Sequence, residues 1–279
     1  MATQAAPVNT MDFSAKGLML DVVRTERGKF YKLIDEPKNW TVQTACTEWE
    51  TRDIVGHMID VTEGYLDRWT LAREKRDAKT VGLLVMASSL DENAKTFRRL
   101  PREQVIQRLK TQSDKMMTVF DALTADEWSN FIVTHPYMGP LPTFFYPAFH
   151  VMDYGVHSWD IRWGLGEKKA PMDERAAGVL VPYMLGALLP STVDQNFAKG
   201  VDADFGIIVD GEWGGKWRIK VKNGQFSHAP ADNLDGVHAT LHFKHASDFV
   251  LTAFQRFAGG EASGDPKVVQ QFRSLFFKI

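Results

Sequence analysis

A single change in the period of the apolar residues does most to limit what this chain can fold into. Up to about residue 195 they recur at helical spacing, and beyond it they alternate. Met19, Val22, Val23, Glu26, Phe30, Leu33 and Ile34 mark one face of a first helix that stops near Pro37. A second begins after Trp49, with Thr51 or a neighbour as its cap, and the stripe Ile54, His57, Met58, Val61, Tyr65 turns His57 inward. A third is expected over about residues 81–97, and a fourth from Pro101 to Leu123 with proline in the first turn. Between Phe131 and Phe149 four prolines and one glycine stand among aromatics, which excludes a continuous helix and predicts a hydrophobic loop. Pro147 is placed to start the helix that carries His150, Asp153 and His157, ending near Gly164-Leu165-Gly166.

Beyond Asp194, residues 205–210 read as a strand, and 216–222 alternate with Trp217, Ile219 and Val221 on one face. Asn223-Gly224 offers a tight hairpin turn, and Ala239, Leu241 and Phe243 a further strand. Helices are expected over 246–257 and 266–277. The expected fold class is therefore α followed by α+β: an antiparallel helical bundle over residues 1–195, then a small α+β domain over 196–279. Residues 179–189 are strongly apolar but interrupted by Pro182 and shorter than the roughly 20 residues of a membrane span, so they read as a buried helix.

Composition narrows the function classes. The 279 residues are 44% hydrophobic and 24% charged, the balance of a globular chain. Net charge is -2 and Lys and Arg are scattered, so no nucleic-acid or anionic-membrane footprint is expected. Cys46 alone excludes an internal disulfide framework and a cysteine metal cluster, and fits a reducing compartment. Met1–Thr10 has no charged start followed by an apolar core. The expectation is a cytoplasmic protein, monomer or homodimer, without stable membrane association.

Asp153 and His157 are four residues apart and share a helix face, and a second helix can bring His57 to them. Two imidazoles and a carboxylate leave a borderline divalent metal an open position, the mark of a catalytic rather than a structural site. The bland reading is a helix whose polar groups are satisfied internally, and for one histidine alone it is the better reading. An inward aspartate one turn from a histidine, among Phe, Tyr, Val and Trp, shifts the balance because it needs a compensating charge. His150 is open between a fourth ligand, a group supporting a ligand and a mere neighbour. Cys46 reads as a small buried residue before a nucleophile, since no G-x-S-x-G or similar motif accompanies it. His238 and His242 would stand about 13 Å apart on a strand, too far to share an ion, and are expected to face solvent. His228 and His245 carry no partner pattern, and no glycine-rich phosphate loop occurs.

Two stretches resemble known families. Trp40-x-x-x-Thr44-x-Cys46, then Arg52-Asp53-x-x-x-His57, is similar to the start of the mycothiol-dependent maleylpyruvate isomerase and DinB-like superfamily, and Asp153-x-x-x-His157-x-x-Asp160 resembles its second motif. The resemblance implies a four-helix bundle holding a divalent metal, usually zinc, on His57, Asp153 and His157, with mycothiol or another low-molecular-weight thiol as cosubstrate and a small electrophile as substrate. The isomerases usually carry glutamate where this chain has Asp153. Gly214-Gly215-Lys216-Trp217, Ala246-Ser247-Asp248-Phe249 and Gly264-Asp265-Pro266 resemble a sterol-carrier-protein-like domain. The function expected is thiol-assisted isomerisation or thiol transfer. Asp160 either orients His157 or makes a helix-surface salt bridge. Arg218 and Arg256 read first as solvated surface residues and second as anion clamps. The competing reading is a binding protein whose sterol-carrier-like tail holds an apolar ligand.

Overall fold

The computed structural model describes residues 9–278, with the side chains of 87–89 outside that description. Of the polar stretch Met1–Thr10, all but the last two residues therefore lie outside the described residues. The chain divides into one compact unit of Thr10–Met172 and a second that begins at Asp173.

The first unit is helical: α1 (Lys16–Asp35), α2 (Thr51–Arg73), α3 (Leu83–Lys95), α4 (Arg102–Ala122), the short α5 (Ala125–Asn130) and α6 (Phe145–Gly164). α1 packs on α6, and α2 on α3 and α4. Phe30, Ile34, Ile54, Ile59, Leu109, Tyr154 and Ile161 fill the core between them. The cap of α2 is Glu50, the neighbour of Thr51, in a capping box with Asp53, whose side chain takes the Glu50 N–H at 2.9 Å. Asp53 is fully buried and is also held by both arms of Arg98, at 2.7 and 2.6 Å, so the acid of the Arg52-Asp53-x-x-x-His57 motif fixes the start of α2.

The stretch expected as a loop is a two-stranded hairpin, β1 (Ile132–His135) with β2 (Gly139–Pro142). Pro140 and Pro142 sit at the edge of this small sheet, where a missing N–H costs little. α6 starts at Phe145, so Pro147 lies in its first turn, where no intrahelical N–H is required.

In the second unit α7 (Glu174–Tyr183) carries Pro182 and continues as a π turn over Met184–Leu188, the local widening that follows the lost N–H. Two short turns, α8 (Leu189–Ser191) and α9 (Gln195–Ala198), lead to β3 (Asp202–Val209), β4 (Gly215–Lys222), β5 (Gln225–Pro230), β6 (Ala239–Phe243), α10 (Ala246–Ala253), β7 (Glu261–Gly264) and α11 (Pro266–Arg273). The five strands form one sheet in the order β5-β4-β3-β6-β7, antiparallel except where β3 lies parallel to β6. Asn223 and Gly224 both have positive φ, 52° and 78°, as the expected hairpin turn between β4 and β5 requires. The unit boundary falls earlier than residue 195. Glu174 accepts the Ala246 N–H at 2.8 Å, and Gly178 lies against the Trp213 ring, so α7 belongs with the sheet. The architecture is thus a helical N-terminal region followed by a sheet-containing unit, and among the described residues no helix is long and apolar enough to cross a membrane.

Candidate metal centre

α2 supplies His57, and α6 supplies Asp153, His157 and Asp160. The His57 and His157 rings meet nearly perpendicular with centroids 5.2 Å apart, and the Trp49 ring packs on both at 5.0 and 6.0 Å. The ligand-capable atoms of His57, Asp153 and His157 all lie within 4.8 Å of one another. A tetrahedral ion with bonds of about 2.0–2.2 Å holds its ligand atoms roughly 3.3–3.6 Å apart, so side-chain adjustment would close the set around one.

The electrostatics agree with the donor set. Burial raises the Asp153 carboxyl to about 6, against a smaller lowering by His157, and no donor among the described residues bonds it. His157 would be lowered by burial, but hydrogen bonds to Asp160 and Cys46 and the charge of Asp160 carry it up to about 10. A half-buried, unbonded carboxyl facing two imidazoles is a site that a dication would satisfy.

Asp160 is fully buried, which removes the alternative of a helix-surface salt bridge. Its Oδ2 lies 2.9 Å from His157 Nδ1, which leaves Nε2 as the nitrogen available to a metal. The same oxygen receives the Cys46 thiol at 3.2 Å. Cys46 is half-buried rather than buried, and Cys46, His157 and Asp160 form a second group of ligand-capable atoms within 4.8 Å. Sequence reasoning missed this link. The only signal was that Cys46 shares a motif with His57, and the contact depends on the loop before α2 being tied to α6 through Ala45 N–H to the Asp160 carbonyl, 3.1 Å.

The remaining candidates stand elsewhere. His150 is not among the groups gathered at the donor set; it is buried against Phe120, Tyr65 and Tyr154. Arg218 pairs with Asp204 at 3.4 Å and donates to the Asp235 carbonyl, and Arg256 is half-buried and donates to the Phe254 carbonyl at 3.2 Å, so neither is merely solvated. His238 is exposed, as expected, and His242 is half-buried; each is also hydrogen-bonded, His238 Nδ1 accepting the Asp204 N–H and His242 Nε2 meeting Asp210 Oδ2, both at 2.9 Å.

Fold and site together define a class, a helical domain that gathers two histidines and an aspartate between facing helices, followed by a sheet-bearing unit. The chain belongs to the mycothiol maleylpyruvate isomerase N-terminal domain family, whose model matches residues 23–162 and so spans all three residues of the donor set. Its fold is similar to that in the crystal structure of the mycothiol-dependent maleylpyruvate isomerase, with a TM-score of 0.60 at 12% identity, covering 89% of this chain and 92% of that one. A histidine-to-alanine mutant of that isomerase aligns similarly, with a TM-score of 0.58 at 11% identity over the same shares of the two chains. No curated protein matches the sequence.

Proposed function

We propose that this protein is a metal-dependent enzyme that uses a low-molecular-weight thiol, mycothiol or a close chemical relative, to isomerise a small electrophilic substrate such as maleylpyruvate. The observation that carries the reading is the convergence of His57, Asp153 and His157 within the span matched by the family model. These three residues would hold a divalent ion, zinc by the chemistry of two imidazoles and a carboxylate. Once bound, such an ion holds a thiol as its thiolate at neutral pH, a nucleophile ready to add to a polarised double bond. Asp160 keeps the His157 ring oriented through Nδ1, and Trp49 shields both imidazoles from water. On this reading the four long helices form the antiparallel bundle of the DinB-like superfamily. The thiol adds, the former double bond rotates, and elimination returns the thiol with the other geometry; arrest after addition would give a transferase instead.

Elemental analysis of purified protein tests the reading. About one zinc per chain is expected, with loss of that zinc and of mycothiol-dependent maleylpyruvate turnover in His57→Ala while the helical circular dichroism persists. Retention of the parent's metal by single, double and triple alanine variants of the three residues would put the site elsewhere.

One observation favours a second reading. The sheet unit carries a half-open, mainly apolar pocket of about 290 Å³ between Ile207, Leu241 and Phe243 of the sheet and Phe249 and Phe272 of α10 and α11. A sterol-carrier-like domain holding an apolar ligand there would co-purify with lipid, and a chain that carries lipid but no metal would favour the carrier over the enzyme.

A further inference from the structure

His135, at the end of β1, is buried and takes the backbone N–H groups of Tyr137 and Met138 on Nδ1, both at 3.2 Å. A ring nitrogen that accepts hydrogen bonds carries no proton, and burial holds this imidazole neutral, its pKa pushed down to about 3. The ring proton therefore sits on Nε2, 3.0 Å from the Tyr65 hydroxyl, and the phenol oxygen is the acceptor in that bond. Tyr65 must direct its own proton elsewhere, and no acceptor among the described residues takes it. A buried donor left open in this way is costly unless something outside the protein accepts from it.

The open donor lies on the same helix as His57 and within electrostatic reach of Asp153. Tyr65 is on the α2 stripe two turns past His57, and its side chain leans back toward the His57 end of the helix. Its ring packs on Tyr146 and stacks on His150, one turn before Asp153 on α6. Burial pushes the phenol's ionisation well above its ordinary value, and the charge of Asp153 pushes it further in the same direction. His150 is also buried, with neither ring nitrogen bonded. Two polar groups in one aromatic wall are thus open on the stretch of α2 and α6 that continues from the donor set.

We propose that Tyr65 is a further catalytic residue, whose hydroxyl donates to the substrate oxygen on which negative charge develops as the thiol adds, and that His135 is the residue that positions it. The assignment rests on the thiol-dependent isomerase reading and narrows the substrate to a double bond conjugated with a carbonyl. The thiolate sulfur bonds to the β-carbon, and the π pair moves through the α-carbon onto the carbonyl oxygen. Tyr65 hydrogen-bonds to that enolate without surrendering its proton. Rotation about the new single bond follows, the oxygen pair returns to re-form the carbonyl and the double bond, and the thiolate leaves.

The test uses the full chain loaded with zinc, with oxalate as a planar mimic of the enolate and maleylpyruvate with mycothiol as the reaction. Tyr65→Phe should keep the parent's zinc content and thiol KM, lower kcat by about 10²-fold, the scale of one lost oxyanion donor, and weaken oxalate binding at least tenfold. Replacing Tyr65 by 3-fluorotyrosine, which keeps the packing and sharpens the donor, should tighten oxalate. Parent-like kcat and oxalate affinity in Tyr65→Phe, with zinc retained, would overturn the assignment of Tyr65 alone. If the parent holds zinc but does not turn over maleylpyruvate, the oxalate comparison still decides Tyr65. A parent that takes up no zinc overturns the isomerase reading, and the Tyr65 assignment with it.

Discussion

Asp153 has one methylene fewer than a glutamate, and its carboxyl reaches the donor set from a half-buried position on α6. Asp153→Glu would add a methylene at a half-buried position of the packed helix α6, where overpacking typically costs roughly 1–3 kcal/mol. The variant should bind zinc and melt at a lower temperature than the parent. A variant both more stable and more zinc-avid would instead mark the aspartate as a weakened ligand. The pH dependence belongs to the same residues. In the metal-free chain Asp153, about 6 against an ordinary 3.8, contributes stability that is present below pH 3.8 and lost as pH rises through about 6. His157, about 10 against 6.5, contributes stability present below pH 6.5 and lost through about 10, so the two slopes run the same way. A bound metal requires both groups unprotonated, so zinc affinity should rise from pH 6 to pH 8 in chelator competition. Equal affinity at the two pH values would mean that the ion sits on other residues. Residue chemistry of this kind was legible in the sequence: helical spacing gave Asp153 with His157, and the inward stripe gave His57. The Cys46 thiol on Asp160 and the Tyr65–His135 pair were not, because each joins segments whose approach no local period encodes.

Helix α2 sets the geometry of the site through its packing on α3. A Cβ at Gly56, the residue before His57, would run into the carbonyl oxygen of Ala94. Gly56→Ala should therefore push α2 from α3, cost about 1–3 kcal/mol in denaturant unfolding, and weaken zinc binding through the displaced His57. An alanine variant with parental stability and zinc affinity would show that the two helices can part without moving the site. Elements with a long repeated period, α1, α2, α4 and α6, were readable to within a few residues. The segment of four prolines was not. Proline excludes a helix, but it does not distinguish a loop from a two-stranded edge hairpin, and that choice rests on the pairing of Val133 with Leu141 and its neighbours. The actual starts of α2 and α6 likewise depended on the capping box of Glu50 with Asp53 and on the tolerance of a first turn for Pro147.

At the scale of the whole molecule, the three proposed ligands all fall within Thr10–Met172, whereas α7 packs on α10 in the unit that begins at Asp173. A chain cut after Met172 should keep its zinc. One cut after residue 195 would carry α7 without the sheet unit, leaving Val179, Leu180 and Val181 without their cover, and should aggregate at concentrations where the shorter fragment is monomeric by light scattering. Equal solubility of the two fragments would show that α7 does not depend on the sheet. The sequence by itself determined that a helical part precedes a sheet-bearing part, the hairpin turn at Asn223-Gly224, the inward face of α6 and the two motifs of the donor set. Each of these is written in a local period or a turn residue whose backbone preference needs no distant partner. Only the tertiary structure decided where the units divide, that Asp160 is buried against His157 and Cys46, and which residues wall the site, because a helix face shows that it will be covered without showing by what.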